Sequence, residues 1–246
     1  MSLASVDVRP ASDNFSDDVR RRLSELRAKL FVNDPVLESG VESEIEDRGG
    51  GYHILHFRLH DRECVVESGD GIVYAAFVWE NNPLFANQFQ ETTSLSKLLK
   101  RWVADRAMPS EIRREFPDIE IDGLADYYER GVPLEGEFVR SWDAMEMFFR
   151  EDGGDFFENA RDFIRTLREA GYDRVLRAGQ SMSIMGLSRS HEQGLSDDQP
   201  RLWFAFNRDD MDVDANYGLG HLKGHPIELT DEVRALLDIL AKQEFE

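Results

Sequence analysis

The sequence predicts an α+β protein, with antiparallel sheets in its N- and C-terminal regions and a helical segment between them. Three observations carry that reading. Apolar residues alternate with polar ones, between Gly- and Asp-rich breaks, over residues 41–80 and again from 173 onward. Between those stretches the apolar residues recur every three or four positions, as on the buried side of a helix. The chain also holds 16 Phe, 6 Tyr and 4 Trp, enough ring area for a packed interior. The natural division is one α+β domain over 1–246, with sub-regions 1–90, 91–170 and 171–246.

The first sub-region opens with a helix over about 17–30, where Val19, Leu23, Leu26 and Leu30 share a face behind the capping-type run Ser16-Asp17-Asp18. Strands follow at 41–47, 52–60, 63–67 and 72–80. Their breaks are Gly49-Gly50-Gly51, His60-Asp61-Arg62 and Ser68-Gly69-Asp70-Gly71. Ile72 to Trp79 is apolar on both faces, which places it inside a sheet. In the middle, Leu95, Leu98, Leu99, Trp102 and Val103 form one stripe, and Phe138, Trp142, Met145 and Phe149 a second. Phe156, Ala160, Phe163 and Leu167 form a third, ended by Gly171. Shorter helices fit 110–116, stopped by Pro117, and 122–130, stopped by Gly131. Strands return at 173–178, 181–188 and 201–207, then a polar Asp-rich loop over 208–225 and a short strand at 226–229. Thr230 caps a last helix carrying Val233, Leu236, Leu237 and Leu240.

Charge narrows the function classes. The chain has 49 Asp and Glu against 29 Lys and Arg, a net charge of −20. The excess is even: −7 over residues 1–90, −7 over 91–170 and −6 over 171–246. Nucleic-acid binders concentrate Lys and Arg on one face or arm, so neither nucleic acid nor an anionic membrane is the expected partner. The longest apolar run, Ile72 to Trp79, is too short to span a bilayer. Met1 to Pro10 lacks the basic and apolar pattern of a secretory leader, and Cys64 is the single cysteine. Both point to a reducing, cytoplasmic setting.

Each candidate for chemistry has a plainer competing reading. Cys64 stands in the apolar run Glu63-Cys64-Val65-Val66-Glu67, where a buried inert thiol is expected. His53, His56 and His60 share one strand. His53 then faces away from His56, and His56 and His60 stand about 13 Å apart. A polar strip of His56, Arg58 and His60 on the solvated face fits better than a metal site. Gly179-Gln180-Ser181-Met182-Ser183 is one residue short of the nucleophile elbow G-x-S-x-G, and a strand pattern rather than a helix follows it. Asp209, Asp210, Asp212, Asp214 and Asn216 resemble the start of a calcium loop. The sixth and twelfth positions fail in both registers: Ala215 and His221, or Tyr217 and Lys223. His221 and His225 lie among Gly218, Gly220, Gly224 and Pro226, so they lack the helical spacing of a zinc-protease pair. The connection Ser188 to Pro200 is long and polar without specifying chemistry, and the Phe- and Met-rich stripe at 138–157 reads as core.

No catalytic residue, metal set or cofactor loop is therefore assigned. Two function classes remain. The first is a non-enzymatic acidic binding protein that neutralises a basic protein partner. The second is a small hydrolase or metal-dependent enzyme, its site formed where Arg177, Gly179 and Gln180 meet the 208–225 segment at one sheet end.

Overall fold

In the computed structural model the described residues are 13–34, 37, 40–50, 52–69, 72–151, 157–190, 199–217 and 220–243. The chain forms two compact units, residues 1–129 and 130–246. Each has its own five-stranded antiparallel sheet and its own cluster of buried apolar side chains. The secondary structure is α+β, with sheets towards both ends of the sequence and helices between them.

The N-terminal unit begins with α1 (Asp13–Asn33), which buries Leu23, Leu26 and Leu30. Ser16-Asp17-Asp18 lies inside this helix and not at its start. A meander follows: β1 (Glu42–Asp47), β2 (His53–Leu59), β3 (Arg62–Gly69), β4 (Ile72–Trp79) and β5 (Asn82–Phe89), paired in sequence order. Strand β5 is absent from the sequence reading, because Asn81-Asn82-Pro83 looks like a break. It is a hairpin partner instead. Glu80 (φ 48°) and Asn81 (φ 70°) both take left-handed conformations, as a tight hairpin turn requires. After the sheet come α2 (Thr92–Leu99), a π-turn at Lys100–Ala104, α3 (Pro109–Glu115) and α4 (Leu124–Glu129).

The inner face of this sheet presents Leu55, Phe57, Cys64, Val66, Ala75 and Phe77, packed in one cluster with Leu23 of α1 and Leu95 of α2. Pro83 stands opposite Val78 and has no N–H to give. Trp102 Nε1 donates to the Val78 carbonyl at 3.2 Å and also reaches the Glu63 carbonyl at 3.2 Å. The indole thus ties the π-helical segment to β3 and β4.

Cys64 lies between Phe57 and Phe77 on the neighbouring strands and is fully buried, and that burial pushes its thiol well above the usual range. Labelling with a thiol reagent should therefore track opening of the N-terminal unit. The expected result is no modification over hours in native buffer and complete modification in denaturant. Rapid native labelling would contradict the packing of β3.

The C-terminal unit has α5 (Pro133–Glu151), α6 (Glu158–Glu169) and a short 3₁₀ turn at Tyr172–Arg174. Then come β6 (Arg177–Ser181), β7 (Ile184–Ser188), β8 (Arg201–Phe206), β9 (Met211–Ala215), β10 (His221–His225) and α7 (Asp231–Leu240). The strand order is again sequential, from β6 at one edge to β10 at the other. Gly171 ends the α6 segment at φ 86°, and the Thr230 side chain accepts from the Val233 N–H at 3.4 Å to start α7. Trp142, Met145, Phe149, Phe163, Leu167, Val233 and Leu237 are buried against the inner sheet residues Met185, Leu187, Phe204 and Val213.

The sequence reading needs correcting here in three places. The stretch read as a 208–225 loop contains two strands, β9 and β10. The strand expected at 173–178 begins at Arg177, and 226–229 forms no strand. The period-two signal in Met211-Asp212-Val213-Asp214-Ala215 is genuine, with Met211, Val213 and Ala215 buried and the aspartates turned outward.

The edge strand β6 is covered by side chains of α5. Ser141 Oγ accepts from the Ala178 N–H at 2.9 Å, and Trp142 Nε1 donates to the Leu176 carbonyl at 2.8 Å. Among the described residues no helix is long and apolar enough to cross a membrane. The N-terminal stretch Met1 to Pro10, Phe156 and positions 191–198 of the Ser188–Pro200 connection lie outside the described residues.

Candidate functional site

The structure settles the placement of most sequence candidates. His53 and His56 point to opposite faces of β2, as alternation requires, but both are buried, so the expected solvated strip does not form. His60 sits in the β2–β3 turn at φ 57°, off that face altogether. Ser181 ends β6, and Met182 (φ 52°) is the exposed tip of the hairpin into β7, so no strand-to-helix elbow exists there.

The aspartates are spread along β9 and its turn. Asp210 accepts from the Asn207 amide at 2.7 Å, Asp212 accepts from the Gly224 N–H at 2.8 Å, and Asp214 lies 3.8 Å from His221 Nδ1. His225 Nε2 stands 3.1 Å from the Thr230 hydroxyl. Among the described residues, no three His, Cys, Asp or Glu side chains gather to hold a metal ion. Segments 177–180 and 208–225 also fail to converge. Strands β7 and β8 separate β6 from β9, a gap of about 14 Å at ordinary strand spacing.

Two surfaces hold more organised chemistry than any of these. The first is the outer face of the N-terminal sheet. Register places Glu42, Glu44 and Glu46 of β1, His56 and Arg58 of β2, and Glu63 and Glu67 of β3 on one side. His56 Nε2 is 3.0 Å from Glu46, and its Nδ1 is 2.5 Å from Glu63. Arg58 donates to Glu63 at 2.7 Å. These long side chains cover His56, which is why the histidine is buried on an outer face. Beyond them lies a shallow hollow of about 550 Å³ lined by Val65, Glu67, Tyr74, Ala76, Ala86 and Gln88. Tyr74 is exposed, and the Tyr52 hydroxyl is pushed up to about 12, chiefly by its hydrogen bond to Glu67.

The second surface is the outer face of the C-terminal sheet at its β6 edge. Trp203, Gly186 and Gly179 stand side by side on β8, β7 and β6. The indole leans over Gly186 so closely that a Cβ there would meet its Cδ1 and Nε1 at 3.3 Å. Arg201 lies over the same indole, its guanidinium carbon 4.6 Å from the ring centroid. A hollow of about 510 Å³ opens here, with Arg177, Gln180 and Ser181 along β6 and Ser141 and Ala144 of α5 at its rim. Arg177 donates to Glu137 at 3.0 Å and to the Ser190 carbonyl at 2.8 Å. Known protein families, curated proteins and solved structures offer no match to this chain. Its chemistry is therefore read from these two surfaces alone.

Arg177, Gly179 and Gln180 lie on β6, apart from the 208–225 segment, and the residue standing in line with Gly179 and Gly186 is Trp203, which only the β6–β7–β8 register reveals. The alternation of Glu42, Glu44 and Glu46 was the available signal for the acidic face.

Proposed function

We propose that this chain is a non-enzymatic binding protein that engages a basic protein partner through the outer face of its N-terminal sheet, in a cytoplasmic setting. The observation that supports this reading most is the gathering of five glutamates from β1 and β3, on either side of β2, beside a shallow hollow with an exposed tyrosine. Aromatic contact area flanked by one sign of charge suits recognition of an Arg- or Lys-rich surface, with the charge steering encounter and the tyrosine supplying contact. Arg58 offsets part of the negative charge, and Arg58 and His56 hold Glu63 and Glu46 in place. Exposed Glu42 and Glu44 remain at the sheet edge, where a partner can reach them.

The test separates this face from net charge alone. Binding of a short oligo-arginine peptide is measured by calorimetry for the triple variant Glu42→Gln, Glu44→Gln, Glu67→Gln. The control, Asp209→Asn, Asp214→Asn, Glu169→Gln, removes as much charge from exposed positions elsewhere. The sheet-face variant should lose on the order of tenfold in affinity at low salt and the control about twofold or less. Equal losses would mean that the charge has no address and the proposed face no special role.

A further inference from the structure

We propose that His56 makes the acidic face of the N-terminal sheet a proton-controlled surface: on gaining a proton the ring exchanges Arg58 for Glu63 as the partner of Nδ1, and the face loses affinity for a basic protein. This regulation rests on the reading of that face as the partner-binding surface. The ring has three charged neighbours for its two nitrogens. Nε2 stands 3.0 Å from Glu46, while Nδ1 stands 2.5 Å from Glu63 and 2.9 Å from Arg58 Nη2.

A guanidinium can only donate, and an ionised carboxylate can only accept. Nδ1 therefore cannot satisfy both of its neighbours at once. In the neutral ring, Nε2–H donates to Glu46 and Nδ1 accepts from Arg58, which leaves the Nδ1 lone pair turned against the Glu63 oxygen. The other neutral tautomer would turn the Nε2 lone pair against Glu46 instead. In the cation, Nδ1–H donates to Glu63, and an Arg58 N–H then meets another N–H. Each charge state satisfies one neighbour of Nδ1 and repels the other. The ring is buried and Arg58 is exposed, so Arg58 is the side chain with room to respond. Its Nη1 already lies 3.9 Å from Glu44 at the sheet edge.

The charged groups around the ring come from all three strands. On β1, Glu44 is directly opposite, with Glu42 and Glu46 diagonal to it, and Arg48 Nε lies 2.9 Å from Glu46. Arg58 is two residues along β2. On β3, Glu63 and Glu67 are diagonal, and Val65, directly opposite, is uncharged. A proton on His56 places a further positive charge among these five glutamates. It also turns the Arg58 guanidinium out towards Glu44, on the rim that a partner reaches. Both changes weaken the negative potential that would meet Lys or Arg side chains. Linkage runs the other way as well: a cationic partner binds the neutral-ring state better and so expels the proton. Affinity is therefore fully present above the range in which histidine titrates and falls as pH drops through it.

Binding of the oligo-arginine peptide to the full chain is measured at low salt at about pH 7.5 and about pH 5.5, which bracket ordinary histidine titration and lie above that of ordinary carboxylates. The wild type should bind about tenfold more weakly at the lower pH. His56→Gln cannot take up the proton, so its two affinities should differ by about twofold or less, whatever their level. His60→Gln, in the turn off this face, should keep the wild-type ratio. Calorimetry of the wild type in two buffers of different ionisation enthalpy should show protons released on binding, a readout that depends on no variant. The switch is overturned by an undiminished ratio in His56→Gln, by loss of the ratio in His60→Gln, by a wild type indifferent to pH, or by binding that takes up protons or exchanges none. A wild type that fails to bind the peptide at either pH would instead overturn the acidic face as the partner surface, and the switch with it.

Discussion

Replacing Arg62 by alanine is expected to destabilise the N-terminal unit by about 3 kcal/mol, whereas replacing it by methionine should be neutral or stabilising by about 1 kcal/mol. Arg62 opens β3, and its side chain is almost wholly buried between two indoles. The guanidinium carbon is 3.4 Å from the Trp79 ring centroid and 3.9 Å from that of Trp102. Its Nε and Nη1 are buried without a hydrogen-bond partner. Dispersion and cation–π attraction on both faces hold the group, while lost hydration and unmade hydrogen bonds oppose it.

Burial lowers the Arg62 pKa to about 10, with Asp61 acting in the opposite direction. The sign follows from the direction. A base with a lowered folded-state pKa binds fewer protons when folded than when unfolded over the window above about pH 10. Its contribution to stability therefore rises with pH there, and the cost of the buried charge is fully present at neutral pH. Methionine keeps most of the volume between the rings and removes that cost. Alanine removes the volume as well and leaves the indoles facing a void. Lysine keeps the charge but cannot stack as a plane, and should cost about 1–2 kcal/mol. Chemical denaturation of the three variants decides the matter: if methionine proved as damaging as alanine, the guanidinium would be a net stabiliser and the ledger above would have the wrong sign.

The second large effect concerns the chain as a whole. Fragments 1–129 and 130–246 are each expected to be soluble and to unfold in a single cooperative transition. Each contains a complete sheet and its own buried cluster, and each is of ordinary domain length. The cut position is decisive. A fragment ending at Gly171 would carry Trp142, Met145, Phe149 and Phe163 without Met185, Phe204 and Val213, against which they are buried. It should aggregate whether the chain is one cooperative body or two. The division at 129/130 leaves neither cluster open. Failure of 1–129 to melt cooperatively, by calorimetry or circular dichroism, would support the single 1–246 domain of the sequence reading.

Helices were the most legible part of the sequence. Their apolar stripes need only local spacing, and Leu95 to Val103, Phe138 to Phe149 and Val233 to Leu240 are buried as the spacing predicts. Strands with uncharged outer faces, such as β4, were also readable. Two kinds of strand were not. β5 begins with Asn82-Pro83, which local rules treat as a turn, and its pairing depends on a hairpin with two left-handed residues. β9 and β10 carry Asp212, Asp214, His221 and Lys223 on one sheet, so polarity masked the alternation of β9, and β10 buries none of its residues.

The candidate sites were less visible still. Glu42, Glu44 and Glu46 alternate in plain sight, but their grouping with Glu63 and Glu67 needs the β1–β2–β3 register. Gly179 opposite Gly186, and Gly186 opposite Trp203, are facts of pairing that no local pattern encodes.

The side-chain cover on β6 also bears on how this sheet meets other chains. A bare edge is a template for a visiting strand. Here one template is partly occupied by a hydroxyl and an indole from α5. At the far side, β10 bends at a bulge between Leu222 and His225, where Gly224 adopts φ 57°. One border is masked and the other is crooked, so neither offers the straight ladder that edge-to-edge polymerisation needs. Edge-to-edge growth of this sheet is thereby disfavoured at both of its borders.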